Sequence, residues 1–181
     1  MSLKISFELT DRDLGFFRKA LRQSREAVKD AEDTEIIEAI HSVLDEISNS
    51  DPLPDFVGKR IPELESLLSM LTDEEWQLPE SDRERLLAAL VYFADPEDIL
   101  PDDIPVIGYL DDVIIIELVA RELLHVREAY DDFCQFREEY EKAQGADVDP
   151  VIRRDRLDRQ RQQLHQRMSR RSAQQEKSSL W

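Results

Sequence analysis

Apolar residues recur three or four positions apart along most of the chain, the spacing that keeps one face of an α-helix turned toward a core. The first stripes predict helices over about residues 11–30, 34–48 and 61–72. Pro62 suits the first turn of the third helix, because the N–H that proline lacks has no helical partner there. The short connections predict antiparallel neighbours. Residues 73–80 are interpreted as a linker.

From Ser81 the chain becomes more apolar, chiefly over residues 86–94. Ser81 and Glu84 have the spacing of a capping box, and the helix they would begin is apolar on almost every side, which predicts a central position. Three prolines exclude regular structure over residues 95–108, because each fixes φ and disfavours helix in the residue before it. Asp111 and Asp112 favour the start of a second, long helix. The pattern predicts two apolar helices joined by a stiff, acidic, proline-rich loop, and the first of these helices is central.

The long helix carries an apolar stripe with coiled-coil spacing, in which Arg137 takes one polar position. The stripe comprises Ile116, Val119, Leu123, Val126, Tyr130, Phe133 and Tyr140. Two interpretations stay open. The stripe packs on other helices of the same bundle, or its later half extends past the bundle and pairs with a protein partner or a second copy.

Asp149 and Pro150 predict the start of a basic C-terminal helix or tail. Its apolar side contains Leu157, Leu164 and Met168. We expect this side to be too small to bury a face, so residues 149–181 are predicted to be an exposed, mobile tail. Residues 1–148 are predicted to form one helical bundle that contains the apolar core of residues 86–121. The chain shows no internal repeat.

The composition supports an all-α fold, because four glycines in 181 residues are few for a β-rich protein. The formal charge of −17 is unevenly distributed. Residues 151–181 hold nine Lys or Arg and three Asp or Glu, a net of +6, which leaves −23 on residues 1–150. So acidic a body repels nucleic acid and anionic lipid at long range. Weak contact with a polyanion or a membrane surface is therefore expected only through the tail.

The lone cysteine, Cys134, has no second cysteine to bridge, which favours a reducing compartment. Residues 104–120 are strongly apolar, but Asp111, Asp112 and Glu117 interrupt them. Each acid near a bilayer centre costs roughly 2.5 to 3.5 kcal/mol, so no transmembrane span is expected. The predicted location is cytoplasmic, with a peripheral contact to the membrane left open.

A cluster of carboxylates follows the first of the two apolar helices and gives the chain a candidate chemical site: Asp95, Glu97, Asp98, Asp102, Asp103, Asp111 and Asp112. Mg²⁺ and Ca²⁺ require several oxygen ligands in a rigid arrangement, which the prolines would supply. The spacing does not fit an EF-hand. In the other interpretation these acids form turn and cap hydrogen bonds, with Arg85 or Arg121 as counter-ions. The sequence indicates no other cofactor.

The stretch around this cluster resembles the YkvA-like family, a bacterial domain of unknown function. The family pattern is an apolar helix, an acidic proline-containing turn and a second apolar helix. The matching positions are Asp98, Pro101, Asp102, Ile104, Pro105, Gly108, Asp111 and Asp112. The resemblance covers about residues 86–121. It implies a helical hairpin around the turn and no known activity.

These observations lead to two hypotheses of function. The first is a non-enzymatic helical module that recognises a protein partner through its acidic body or the long helix. The alternative is a divalent-metal-dependent enzyme of the hydrolase type. In that enzyme the candidate residues would be Asp98, Asp102, Asp111 and Asp112.

Overall fold

A computed structural model describes residues 8–27, 33–49, 58–94, 110–144 and 149–178. These residues form α-helices and no β-strand, which confirms the all-α prediction. The helices are α1 (Asp11–Ala27), α2 (Asp33–Asn49), α3 (Ile61–Thr72), α4 (Glu80–Ala94), α5 (Leu110–Glu122), α6 (Leu124–Gln144) and α7 (Pro150–Ser178). The chain divides into two compact units. The first comprises residues 1–61 and 85–119, and the second comprises residues 62–84 and 120–181.

The first unit contains α1, α2 and most of α4 and α5. Its buried side chains include Ile36, Ile40, Leu86, Leu90, Val91, Ile115, Ile116 and Leu118. An ion pair of 2.7 Å joins Arg60 to Glu117 of α5. At the start of α1, the amide and hydroxyl of Thr10 both donate to the Asp13 carboxylate, at 2.9 and 2.6 Å. These bonds use a donor that a helix start would otherwise leave free, so the helix begins where the sequence predicts.

The second unit is organised around an antiparallel pair of helices, α6 and α7. Three ion pairs run along the pair in opposite chain order and define its direction: Arg153 to Glu141, Arg167 to Asp132, and Arg171 to Glu128. The buried apolar side chains of this unit include Leu64, Leu67, Leu68, Met70, Leu71, Trp76, Leu123, Val126, Ala129, Phe133, Leu157, Leu164 and Met168.

The predicted long helix is divided into α5 and α6 at Leu123, which is fully buried. The Leu123 carbonyl accepts from the amides of both Val126 and Arg127, at 2.9 Å each. This shared acceptor tightens the chain to a 3₁₀-like turn, a change that the apolar spacing does not reveal. The capping box also differs from the prediction, because α4 begins at Glu80 and the Pro79 carbonyl accepts from the amides of Asp82 and Arg83.

The expectation that the C-terminal helix is exposed or frayed is wrong for residues 150–178. Helix α7 is continuous over Pro150–Ser178, and Leu157, Leu164 and Met168 are 3%, 5% and 3% exposed. Its start agrees with the prediction, because an Asp149 carboxylate oxygen accepts from the Val151 amide at 2.8 Å. A narrow apolar stripe is sufficient to bury one side of α7, because it packs against a neighbouring helix. The independence of residues 1–148 as a domain stays a prediction.

Candidate functional site

Most of the predicted acidic motif falls outside the described residues, namely Asp98, Pro101, Asp102, Pro105 and Gly108. Asp111 is described and lies in the first turn of α5, where it is 1% exposed. The Tyr92 hydroxyl of α4 donates to its Oδ2 at 3.1 Å. The bond gives a buried carboxylate a partner and ties α4 to α5 within the first unit. Asp112 follows in α5, and its side chain lies outside the described part.

The proposed counter-ions Arg85 and Arg121 occupy exposed positions on α4 and α5, whereas Asp111 is buried. Among the residues that the structure describes, no group of three or more His, Cys, Asp or Glu side chains is arranged to hold a metal ion. The counter-ion and metal interpretations therefore stay predictions that depend on residues 95–109. In the same described part of the chain, every helix is too short or too polar to cross a bilayer.

Residues 73–79 connect α3 to α4, which agrees with the predicted linker except that α4 already begins at Glu80, and Trp76 of this connection is fully buried in the second unit. Its ring contacts Tyr130, Phe133 and His165, with centroid distances of 5.7, 5.3 and 4.6 Å. These partners come from α6 and α7, so a turn between helices forms the centre of the unit. A tryptophan within a short acidic stretch is the sequence signal for this burial. We call Trp76, Tyr130, Phe133 and His165 the aromatic cluster.

Hydrogen bonds from Asp73 shape the turn that carries Trp76. Its Oδ1 accepts from the amides of Glu75 and Trp76, at 2.9 and 3.1 Å. Gln77 then adopts φ 51°, in the left-handed region that a non-glycine residue rarely occupies. The Asp73 Oδ2 meanwhile accepts from the Tyr130 hydroxyl at 3.2 Å. One carboxylate thus fixes the turn and attaches it to α6.

Arginines from α6 and α7 converge on the same turn. Arg137 contacts Asp73 at 2.9 Å and Glu75 at 3.1 Å. Arg153 contacts Glu75 at 2.5 Å, and Arg161 donates to the Glu75 backbone carbonyl at 3.1 Å. The hydrogen bond from Arg153 holds the pKa of Glu75 below its usual range, and burial opposes that shift. This network fixes the position of the turn between the two helices.

Two potentially reactive side chains are Cys134, which lies next to the aromatic cluster, and His165, which belongs to it. Burial raises the pKa of the Cys134 thiol, although Arg137 lies 3.6 Å from its Sγ. A thiol with a raised pKa is a poor nucleophile. Burial also lowers the pKa of His165, with a further contribution from Arg161. His165 is therefore neutral at pH 7. The remaining histidines are His41 on α2 and His125 on α6.

Helix α7 carries two different sets of arginines. The inner set pairs with acids or carbonyls of the second unit and comprises Arg153, Arg161, Arg167 and Arg171. An outer set is exposed, and within the described residues it makes no hydrogen bond or ion pair: Arg154, Arg156, Arg159 and Arg170. The number of arginines in the sequence does not reveal this division. In the sequence, this division is indicated by the helical spacing of the outer arginines.

Most of the outer set lies on one continuous stripe along α7, whose residues recur at alternating spacings of four and three. It spans about 27 Å at 1.5 Å per residue. We call this the basic stripe: Ile152, Arg156, Arg159, Gln163, Gln166 and Arg170. All six residues are exposed, and none of them is acidic. The stripe is therefore a surface suited to contact a negatively charged partner.

Comparison with known proteins gives a match over part of the chain. Residues 85–118 match the model of a family described as a protein of unknown function, DUF1232. The matched segment contains Asp111 and lies within the first unit. No curated protein and no solved structure matches the chain. The first unit thus contains a segment similar to a domain-of-unknown-function family, and the aromatic cluster and the basic stripe lie outside the matched residues.

Proposed function

We propose that the chain is a non-enzymatic helical module that binds another protein through the basic stripe of α7. The observation that carries the proposal is the presence of Arg156, Arg159 and Arg170 on one exposed helix face, without a hydrogen bond or ion pair in the described part of the chain. Guanidinium groups present donors that match carboxylates in pairs, so acidic side chains are the partner chemistry that this face fits.

The packing of the second unit supports this proposal, because a binding face needs a fixed support. Leu164 and Met168 bury the opposite side of α7, and Arg153 attaches its first turns to Glu75 and Glu141. The stripe is thus presented on a helix whose orientation is set by packing. A preorganised face of this kind loses less conformational entropy on binding than a flexible tail does.

The proposal includes a family and a location. The eight positions from Asp98 to Asp112 support assignment of the hairpin to the YkvA-like family. The free Cys134 supports a reducing, cytoplasmic location. A peripheral contact with anionic lipid would use the same arginines, and it is an alternative outcome of the experiments below.

Site-specific photo-cross-linking in the native cell tests the proposal. A photoreactive amino acid replaces Gln163, in the middle of the basic stripe, and in a second variant it replaces Gln23, an exposed residue of α1. We expect discrete protein adducts from position 163 that disappear when Arg156 and Arg159 are changed to Glu. Position 23 should give none of these adducts. The absence of protein adducts from position 163 would contradict the proposal.

The metal-dependent alternative has a separate test. Mg²⁺ and Ca²⁺ are titrated calorimetrically into the full chain and into the Asp112→Asn variant. Saturable binding that this substitution abolishes would favour the enzyme hypothesis. Asp112 is preferable to Asp111 for this purpose, because Asp111 is buried against Tyr92 and its substitution would also disturb packing.

A further inference from the structure

A second exposed stripe runs along α6 with the same spacing as the basic stripe. We call it the acidic stripe: Leu124, Glu128, Asp131, Gln135, Glu138 and Lys142. It contains three carboxylates and one lysine, and that lysine pairs with Glu138 within the helix at 3.1 Å. The chain therefore carries neighbouring helices whose exposed faces have opposite charge.

The two stripes flank one exposed groove between α6 and α7. Arg167 to Asp132 and Arg171 to Glu128 bridge this groove, and their side chains are 41% to 50% exposed. Glu128 itself belongs to the acidic stripe. The groove therefore has a basic border on α7 and an acidic border on α6, so the same surface contains both halves of a complementary contact.

Resting on the proposed function, we propose that the partner of this surface is a second copy of the chain. The two copies pack groove to groove about a two-fold axis that runs parallel to the helices. In a two-fold interface the same surface is used twice, so a surface that is half basic and half acidic can complement itself. The axis parallel to the helices places α7 of each copy on α6 of the other.

Charge selects this arrangement over the other way to stack the surfaces. A two-fold axis across the helices would place α6 on α6 and α7 on α7, which opposes acid to acid and arginine to arginine. Like charges directly opposed at an interface are unfavourable. With the axis along the helices, α7 lies antiparallel to α6 of the partner. Arg156 and Arg159 then lie toward the end of the acidic stripe that contains Glu138.

The net charge of −17 per chain opposes association and sets the expected salt dependence. Repulsion between whole molecules is screened beyond a Debye length, roughly 8 Å at physiological ionic strength and 30 Å at 0.01 M salt. Contacts between stripes act at shorter distances. Self-association should therefore be weak at very low salt, strongest near physiological salt, and weaker again at about 1 M salt. A purely apolar interface would not weaken at high salt.

A charge-swap experiment on the full chain tests the geometry. The basic-stripe variant carries Arg156→Glu and Arg159→Glu, and the acidic-stripe variant carries Asp131→Arg and Glu138→Arg. Each alone opposes like charges in both symmetry-related contacts and should self-associate on the order of tenfold more weakly than the wild type. Mixed in equal amounts, the two variants restore opposite charges in both contacts. Sedimentation velocity should then show a heterodimer as stable as the wild-type dimer.

Arg154→Glu is the matched control, because Arg154 is exposed on α7 outside the basic stripe. It makes one Arg-to-Glu change, where the basic-stripe variant makes two, and should leave self-association unchanged. All substituted side chains are exposed, so the variants should keep the wild-type melting temperature. That measurement separates a lost contact from a lost fold.

A wild-type chain that stays monomeric at all salt concentrations would overturn the inference, as would variants that fail to associate when mixed. Adducts from position 163 to a different protein, formed by a monomeric chain, would overturn the second copy as partner and leave the interaction function standing. A monomer that gives no adduct at position 163 would overturn both. Tight binding of RNA or anionic vesicles at physiological salt would assign the basic stripe to those ligands instead.

Discussion

Both sides of helix α7 carry arginines, but one side is packed and the other is exposed. The inner side carries Leu157, Leu164 and Met168 with Arg153 and Arg161, and its arginines reach Glu75 and Glu141. The outer side also carries arginines, and they face solvent. Arginine content therefore does not separate the paired positions from the exposed ones. The difference lies in position around the helix, since a rotation of about 180° exchanges packing for exposure.

Removal of α7 should lower the stability of the protein more than any other change, because it exposes the aromatic cluster. Truncation after Gln144 removes His165 from Trp76 and leaves the buried side of α6 uncovered. We expect the melting temperature to fall by more than about 10 °C, equivalent to several kcal/mol in a chain of this size. Calorimetry of the two chains measures this shift. An unchanged melting temperature would restore the expectation of a dispensable tail.

A matched pair of neighbouring substitutions tests the two sides directly. Leu164→Ala on the inner side should lower the free energy of unfolding by about 2 to 5 kcal/mol, because it removes a buried side chain and leaves a cavity. Gln163→Ala on the outer side should change it by no more than about 0.5 kcal/mol. Urea unfolding measures both. Equal effects would mean that α7 is not packed as described.

Substitution of an inner arginine should cost more stability than substitution of an outer one, but this difference should be smaller than that between Leu164→Ala and Gln163→Ala. Arg153→Gln breaks contacts with Glu75 and Glu141 and should cost about 1 kcal/mol, since partly exposed ion pairs are screened by solvent. Arg156→Gln should leave stability unchanged. The difference should shrink when unfolding is repeated at high salt. A cost that does not depend on salt would assign the role of Arg153 to packing of its aliphatic stem.

The pH dependence of stability should show the smallest effect. Burial lowers the pKa of His165, so the unfolded chain binds a proton more readily than the folded chain. The stability linked to His165 is complete above its ordinary pKa of about 6.5 and is lost as pH falls through the lower folded pKa. We expect a small loss of stability between pH 7 and 5.5. His165→Phe should flatten that slope in urea unfolding experiments.

Acidic groups should not obscure this pH window. The pKa of Glu75 is lowered in the folded state, chiefly by Arg153, so its contribution is present above its ordinary value near 4.5 and is lost only at lower pH. A slope that persists in His165→Phe above pH 5.5 would show that another group titrates there.

The sequence was sufficient to predict the helices whose signals are local. The Thr10–Asp13 start of α1, the Asp149 start of α7 and the proline in the first turn of α3 all depend on residues within a few positions. Hydrophobic spacing located the α4 and α5 regions, and the motif residues over 95–109 lie outside the described part of the structure. The apolar stripe of the predicted long helix was also visible in the sequence. The residues of other segments that pack against it were not.

What tertiary structure decided depends on residues that are far apart in the chain. Arg153 and Glu75 are 78 positions apart, and Trp76 meets His165 across a similar separation. Local propensity assigned residues 73–80 to a linker and α7 to a mobile tail because neither segment buries much apolar surface alone. Each becomes ordered by covering the other, and the free energy of that contact appears in neither segment by itself. The sequence therefore determined which segments are helical, and packing determined which side of α7 remained available to a partner.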